Sequence, residues 1–264
     1  MKRVVFLFTG MVCLSALKAQ VKEGTIVYEQ KTNMHRVIQD EQMKAMIPEF
    51  RTARFLLLFS DSISVYKTVP EDEAPDPFAG GGGMRVITRF GGGGGDLYKN
   101  FSQAKSVQTA EVGGKNFLIT DSIRQQPWKL GTETRTILGY TCHKATRKVM
   151  QAAGNIRRIV MGGGAPDTSN QSRQQAKEVE IVAWYADDLA SPVGPENYGQ
   201  LPGVILQLDV DNSANVYTAI EIKKTVDQKE LKEPKKGKVI TRPEFTKLMT
   251  EMMSSGGGGF RIGG

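Results

Sequence analysis

Between residues 203 and 222, apolar side chains alternate with polar ones on both sides of a turn. Val204, Leu206, Leu208 and Val210 fall on one face, and Gln207 and Asp209 on the other. After Asp211-Asn212-Ser213-Ala214-Asn215 the alternation resumes with Val216, Thr218, Ile220 and Ile222. A strand gathers such residues on one side, whereas a helix would scatter them around its circumference. The pattern therefore predicts a β-hairpin with one buried face.

The same reasoning finds further strands. Residues 54–59 and 62–67 pair across Ser60-Asp61, and residues 105–112 and 115–120 pair across Gly113-Gly114. Residues 24–31, 133–138, 142–150 and 178–186 read as single strands. Hairpin-length connections favour antiparallel pairing over crossover helices. Two segments have helical spacing instead. One is 41–50, with Met43, Met46, Ile47 and Phe50. The other begins with Thr241 and Glu244 as a capping box and carries Phe245, Leu248, Met249 and Met252 on one stripe. Both stripes are expected to pack on an apolar surface, and neither has the Cys or His neighbours a soft metal would want. The expected fold is mainly β: an antiparallel, curved sheet or half-barrel with one or two amphipathic helices.

Lys2 and Arg3 precede an apolar run from Val4 to Leu17, and small Ala19 stands before Gln20. This is the pattern of an export signal, cut after Ala19 or Gln20. Cys13 lacks the context of a lipidated cysteine. The apolar run is shorter than the roughly 17 to 25 residues a spanning helix needs, and no later stretch approaches that length. The expected organisation is a signal over 1–19, a β-rich domain over 20–226 with Gly/Pro-rich inserts near 69–95 and 162–177, and, over 227–264, a basic linker, short helix and Gly-rich tail. The expected location is the periplasm or cell envelope.

Removing residues 1–19 takes away Lys2, Arg3 and Lys18, and the formal charge falls from +7 to +4. The remaining positive charges are scattered or mixed with Glu230 and Glu233 in 229–238, with no interleaved aromatics, a pattern that does not support nucleic-acid binding. Cys142 is then the single thiol, read as a small buried hydrophobe, so the fold must rest on its apolar core.

Residues for chemistry are few. The chain has two histidines, His35 and His143, and neither forms a metal-ligand pair at the usual spacings. Cys142 and His143 are adjacent on a predicted strand and should point to opposite faces, out of reach of each other. No Gly-x-Ser-x-Gly motif is present. The glycine runs 80–83 and 91–95 lack the Lys-Ser/Thr ending of a phosphate loop, so no nucleotide cofactor is expected. Asp187-Asp188 and Glu71-Asp72-Glu73 lack the spacing of a calcium loop and read as solvated surface. No catalytic, cofactor or metal residue is assigned.

One segment is not generic. Between two predicted strands, residues 184–210 hold Pro192, Gly194, Pro195, Gly199, Pro202 and Gly203, with Tyr198 and Leu201 to bury. Proline cannot donate to a ladder and glycine admits positive φ, so this connection should have a fixed irregular shape. It closes one end of a sheet, or forms a binding rim.

Those residues resemble the GLPGLI family. The motif appears as Gly199-Gln200-Leu201-Pro202-Gly203-Val204-Ile205 and extends back through Trp184-Tyr185, Gly194-Pro195 and Tyr198. Upstream, Trp128-Lys129-Leu130 and the run Ile137-Leu138-Gly139-Tyr140-Thr141-Cys142-His143-Lys144-Ala145 fit as well. Gln200 is inserted relative to the family pattern, and Val204 replaces Leu. The resemblance implies an exported protein of the Bacteroidetes type and supplies no catalytic residue. Taken with the strand pattern, and by analogy with a half-barrel over a helix, it suggests three functions. The first is non-enzymatic binding of an apolar ligand, lipid or protein partner. The second is scaffolding of an outer-membrane receptor or transporter. The third is hydrolysis by a pair of carboxylates.

Overall fold

The computed structural model describes residues 21–36, 41–69, 95–151 and 177–254. The export signal, nearly all of both inserts and the glycine tail lie outside the described residues.

Twelve strands form one sheet. In chain order they are β1 (Glu23–Asn33), β2 (Phe50–Ser60), β3 (Ile63–Thr68), β4 (Leu97–Asn100), β5 (Lys105–Val112) and β6 (Lys115–Ser122). Then come β7 (Lys129–Ile137), β8 (Tyr140–Gln151), β9 (Lys177–Ala186), β10 (Val204–Val210), β11 (Asn215–Lys223) and β12 (Lys238–Thr241). Their order across the sheet is β12-β6-β5-β4-β3-β2-β1-β11-β10-β9-β8-β7. Neighbours are antiparallel except β12, which runs parallel to β6. Among the described residues the sheet is not closed into a barrel, and β12 and β7 are its edges.

The predicted hairpins are β2–β3, β5–β6 and β10–β11. The last has a different phase from the one the alternation suggests. Val210 pairs with Asn215 and Leu208 with Tyr217, so the turn holds Asp211 to Ala214 and not a fifth residue. The face that carries Leu208 therefore continues through Tyr217 and Ala219, which are buried, while Ile220 is 40% exposed. A bulge between Ile205 and Gln207 similarly lets Val204, Ile205 and Leu206 all be buried.

Alternation divides the core between two faces. On the front, Tyr28, Leu57, Tyr66 and Leu97 join Leu189, Val193 and Leu201 of the Pro-Gly connection in one cluster. On the back, Leu58, Val65, Tyr98, Val107 and Leu118 pack against Leu231. Ion pairs Lys67–Glu230 and Lys105–Glu233, at 2.5 and 2.6 Å, hold the strap bearing Leu231 in place.

Helix α1 (Glu41–Met46) is shorter than the predicted 41–50 and has no core role at its described end: Met46 is 83% exposed. Pro48 disfavours helical geometry at Ile47, and Phe50 instead starts β2, under the Lys31 ammonium at 4.0 Å. Helix α2 (Arg242–Ser254) follows the expected plan. The Thr241 amide donates to Glu244 Oε2 at 2.8 Å, and the Glu244 amide donates back to Thr241 Oγ1 at 3.4 Å. Phe245 and Met249 pack on Val112, Phe117 and Ile119, which covers the front of β5 and β6.

Candidate functional site

The Pro-Gly connection, residues 187–203, lies across the front of the sheet because two close approaches admit only glycine. A Cβ on Gly203 would stand 2.0 Å from the Ala186 carbonyl oxygen, and one on Gly199 would stand 2.6 Å from the Pro192 carbonyl oxygen. The connection then closes on itself. The Gln200 amide donates to Pro192 O at 2.8 Å and the Ile205 amide to Val193 O at 3.1 Å. Leu201 is buried beneath it.

Polar groups from a distant strand and from the β6–β7 linker fix this rim. Lys99 of β4 is 3% exposed, and its ammonium donates to the carbonyls of Glu196 at 2.7 Å and Tyr198 at 3.3 Å. Trp128 Nε1 donates to Gly199 O at 2.9 Å. Gln200 Oε1 accepts from the Gln126 amide at 2.8 Å, and Gln200 Nε2 donates to Arg124 O at 3.0 Å. The residue inserted in the motif thus ties the rim to the β6–β7 linker. The Arg147 guanidinium lies 5.2 Å from the Trp128 ring centre and 5.6 Å from that of Tyr198.

Glu196 is the least ordinary residue of the rim. Its backbone is left-handed, with φ of 47°. Its Oε1 accepts from the Tyr217 hydroxyl at 2.7 Å, and that hydroxyl accepts from Gln30 Nε2 at 2.9 Å. Burial raises the Glu196 pKa, opposed by the Tyr217 hydrogen bond and the Lys99 charge. Burial pulls Lys99 down to about 7, opposed by Glu196. Tyr217 is pushed well up, by burial first and then by the Glu196 charge. The Tyr66 hydroxyl beside them is buried and has no hydrogen-bond partner among the described residues.

Two hollows flank the rim. A cleft of about 430 Å³ lies between Phe101, Ile123, Gln125, Pro192 and Gln200. A cavity of about 170 Å³ lies on the front of the sheet between Tyr66, Gln108, Glu196, Arg242 and Phe245.

The residues that carry the GLPGLI resemblance have architectural positions. Gly139 takes φ of 82° in the β7–β8 turn, and Tyr140 opens β8 and packs on the front core. Lys144 pairs with Glu133 at 2.7 Å, and Trp184 lies under the Arg135 guanidinium at 4.0 Å. Tyr185 is buried, Gly194 abuts Ile205, and Pro195 O accepts from the Tyr198 amide at 3.0 Å. Pro202 is exposed between buried Leu201 and Gly203, and Ile205 O accepts from the Tyr28 hydroxyl.

Cys142 is buried, and burial lifts its pKa to about 11, opposed by Arg135; the thiol is a poor nucleophile at neutral pH. His143 meets Asp187 at 3.7 Å and not the thiol. Among the described residues no group of three His, Cys, Asp or Glu is placed to hold a metal ion, and no helix is long and apolar enough to cross a membrane.

Lys99, Tyr66, Tyr217, Glu196 and Arg242 carry the site's polarity and were not singled out from the sequence. No local signal marked Lys99: it shares a face of β4 with Leu97, but four residues are too few to show a strand period.

Residues 128–207 match a family model described as a protein of unknown function (Porph_ging). The match spans β7 to the β10 bulge, which is the rim and the strands that carry it, and it fits a Bacteroidetes-type family. A search of curated proteins returns no match. Among solved structures, PNGF-II in the P21 space group aligns with a TM-score of 0.51 at 15% identity, over 87% of this chain and 34% of that one. PNGF-II in the C2 space group aligns with a TM-score of 0.52 at 15% identity, over 87% and 33%. This chain thus spans about a third of the length of those structures, and the likeness is one of fold.

Proposed function

We propose that this is an exported envelope protein of the GLPGLI type that works by binding a partner protein, and that the partner seats in the cleft beside Gln200. The observation that carries the reading is the tie between Gln200 and residues 124–126. It builds one wall from two stretches far apart in sequence, beside a cleft of about 430 Å³ open to a protruding side chain of a partner. A wall already fixed by hydrogen bonds loses little freedom when a partner docks.

The other occupants fit less well. An acyl chain needs a long apolar groove, and the front of the sheet is filled by Leu189, Val193 and Leu201 of the chain itself. A hydrolase built on a carboxylate pair needs a second acid, and among the described residues Glu196 is the one carboxylate lining the front cavity. The export reading is supported by Lys2 and Arg3 ahead of the apolar run Val4 to Leu17 and by small Ala19 before Gln20.

The test is a photo-crosslinking amino acid at Gln125, expressed in cells, with a control at Lys229 on the strap. A discrete adduct with one envelope protein at Gln125 alone is expected, and an integral outer-membrane adduct would identify the scaffolding role. Lipid recovered in stoichiometric amount by mass spectrometry of the purified protein, or no adduct, sinks the reading.

A further inference from the structure

On the other side of the rim lies a site with different chemistry. Tyr66, Leu97, Gln108 and Ile119 face one another in register across β3 to β6 and form the floor of the smaller cavity. The rim and α2 form its walls, with Glu196 on one side and Arg242 on the other.

Three observations mark it as more than a packing gap. Tyr66 is 4% exposed, yet its hydroxyl has no partner among the described residues. A buried hydroxyl facing a polar hollow takes up water or a ligand. Glu196 gives one carboxylate oxygen to Tyr217 and holds a left-handed backbone, a conformation that in a non-glycine residue clusters at functional sites. Arg242, the first residue of α2, spends Nη2 on Gln108 at 2.9 Å and places Nε 3.5 Å from Asp121, which leaves part of a five-donor guanidinium.

The combination is selective. An apolar guest would leave Tyr66 unpaired, an anion alone would meet Glu196, and a cation alone would meet Arg242. We infer that this cavity binds a small zwitterion of the α-amino-acid class, with its ammonium at Glu196 and Tyr66 and its carboxylate at Arg242. Leu97, Ile119 and Phe245 line the rest and suit a short aliphatic side chain. The volume of about 170 Å³ falls below the range of drug-sized ligand sites and suits a small guest. The ammonium offsets the desolvation that raises Glu196 in the free protein.

The test is calorimetric titration of the purified protein with L-alanine, L-valine and L-leucine, alongside isobutylamine and isovalerate. At least one amino acid binds saturably at one site, and both single-charge probes bind at least roughly 10-fold more weakly. Glu196→Gln and Arg242→Gln each weaken binding roughly 10-fold or more, and Tyr66→Phe, which keeps the ring and its stacking on Phe55, weakens it roughly 3-fold. No saturable binding by any of the three amino acids overturns the inference. So does binding by isobutylamine or isovalerate equal to that of valine, or amino-acid binding left intact in Tyr66→Phe together with either charge variant. Crosslinking at Gln125 reads the opposite side of the rim, so the two proposals fail separately.

Discussion

The Lys99 ammonium donates to the carbonyl of Glu196, 2.7 Å away across 97 residues of sequence. With Tyr198 O as second acceptor, one buried side chain satisfies two carbonyls of an irregular segment that no strand can pair. A lysine does this well because the amine still carries two N–H donors after it loses its proton.

Lys99→Met keeps the length and removes the donors. Two rim carbonyls are left without their partner, and a loss of about 1–3 kcal/mol is expected in urea denaturation. The wild type also gains stability as pH rises from about 7 toward 10.5, because over that window the unfolded chain binds a proton that the folded lysine has released. Lys99→Met lacks that rise, so the gap between the two proteins widens across the window. A gap that stays constant with pH would contradict a buried, depressed lysine.

Tyr217→Phe removes the hydrogen bond to Glu196 and the acceptor of Gln30, at a cost of about 1–3 kcal/mol. The sign of its pH effect follows from Glu196. A carboxyl raised in the folded state keeps a proton the unfolded chain has given up, so its contribution is present below the ordinary value of 4.5 and is lost as pH rises through the folded value. The Tyr217 hydrogen bond opposes that rise in pKa, so its removal should steepen the loss of stability above pH 4.5. Parallel denaturation curves of the two proteins over a pH series decide it.

Two signature glycines separate by the reason they are glycine. At Gly203 a Cβ meets backbone 2.0 Å away, so Gly203→Ala must displace the rim and is expected to cost more than about 4 kcal/mol or prevent folding. At Gly139 a Cβ meets nothing within 4 Å, and Gly139→Ala pays only for its φ of 82°, about 1–2 kcal/mol. Equal losses in thermal denaturation would refute this division.

Gln200→Ala unties the rim from residues 124–126 and exposes the groups it bonded, with an expected loss of about 1–2 kcal/mol. Hydrogen exchange should rise at the Gln126 amide and stay unchanged at Ile205, whose amide bonds Val193 within the rim. Exchange that rises equally at both would make the rim one unit and not two.

The architecture was legible where a side-chain period or a turn residue carries the information locally. Three hairpins were readable from alternation, and α2 from Thr241, Glu244 and an apolar stripe. The phase of β11 was not, because one residue more or less in the turn reverses which face is buried, and composition does not fix a turn's length. Nor was β4, only four residues long and too short to establish a period. The rim was visible as a segment, since Pro and Gly restrict the backbone wherever they stand. Its partners were not.

What the sequence determined by itself was therefore the backbone: strands from alternation, a helix start from its cap, a shaped connection from Pro and Gly. Tertiary structure alone decided the chemistry. Lys99, Tyr66, Tyr217, Glu196 and Arg242 lie on five different elements and look ordinary in sequence. Their properties arise when folding removes water from around them, because the cost of a buried charge or hydroxyl depends on which distant groups arrive beside it.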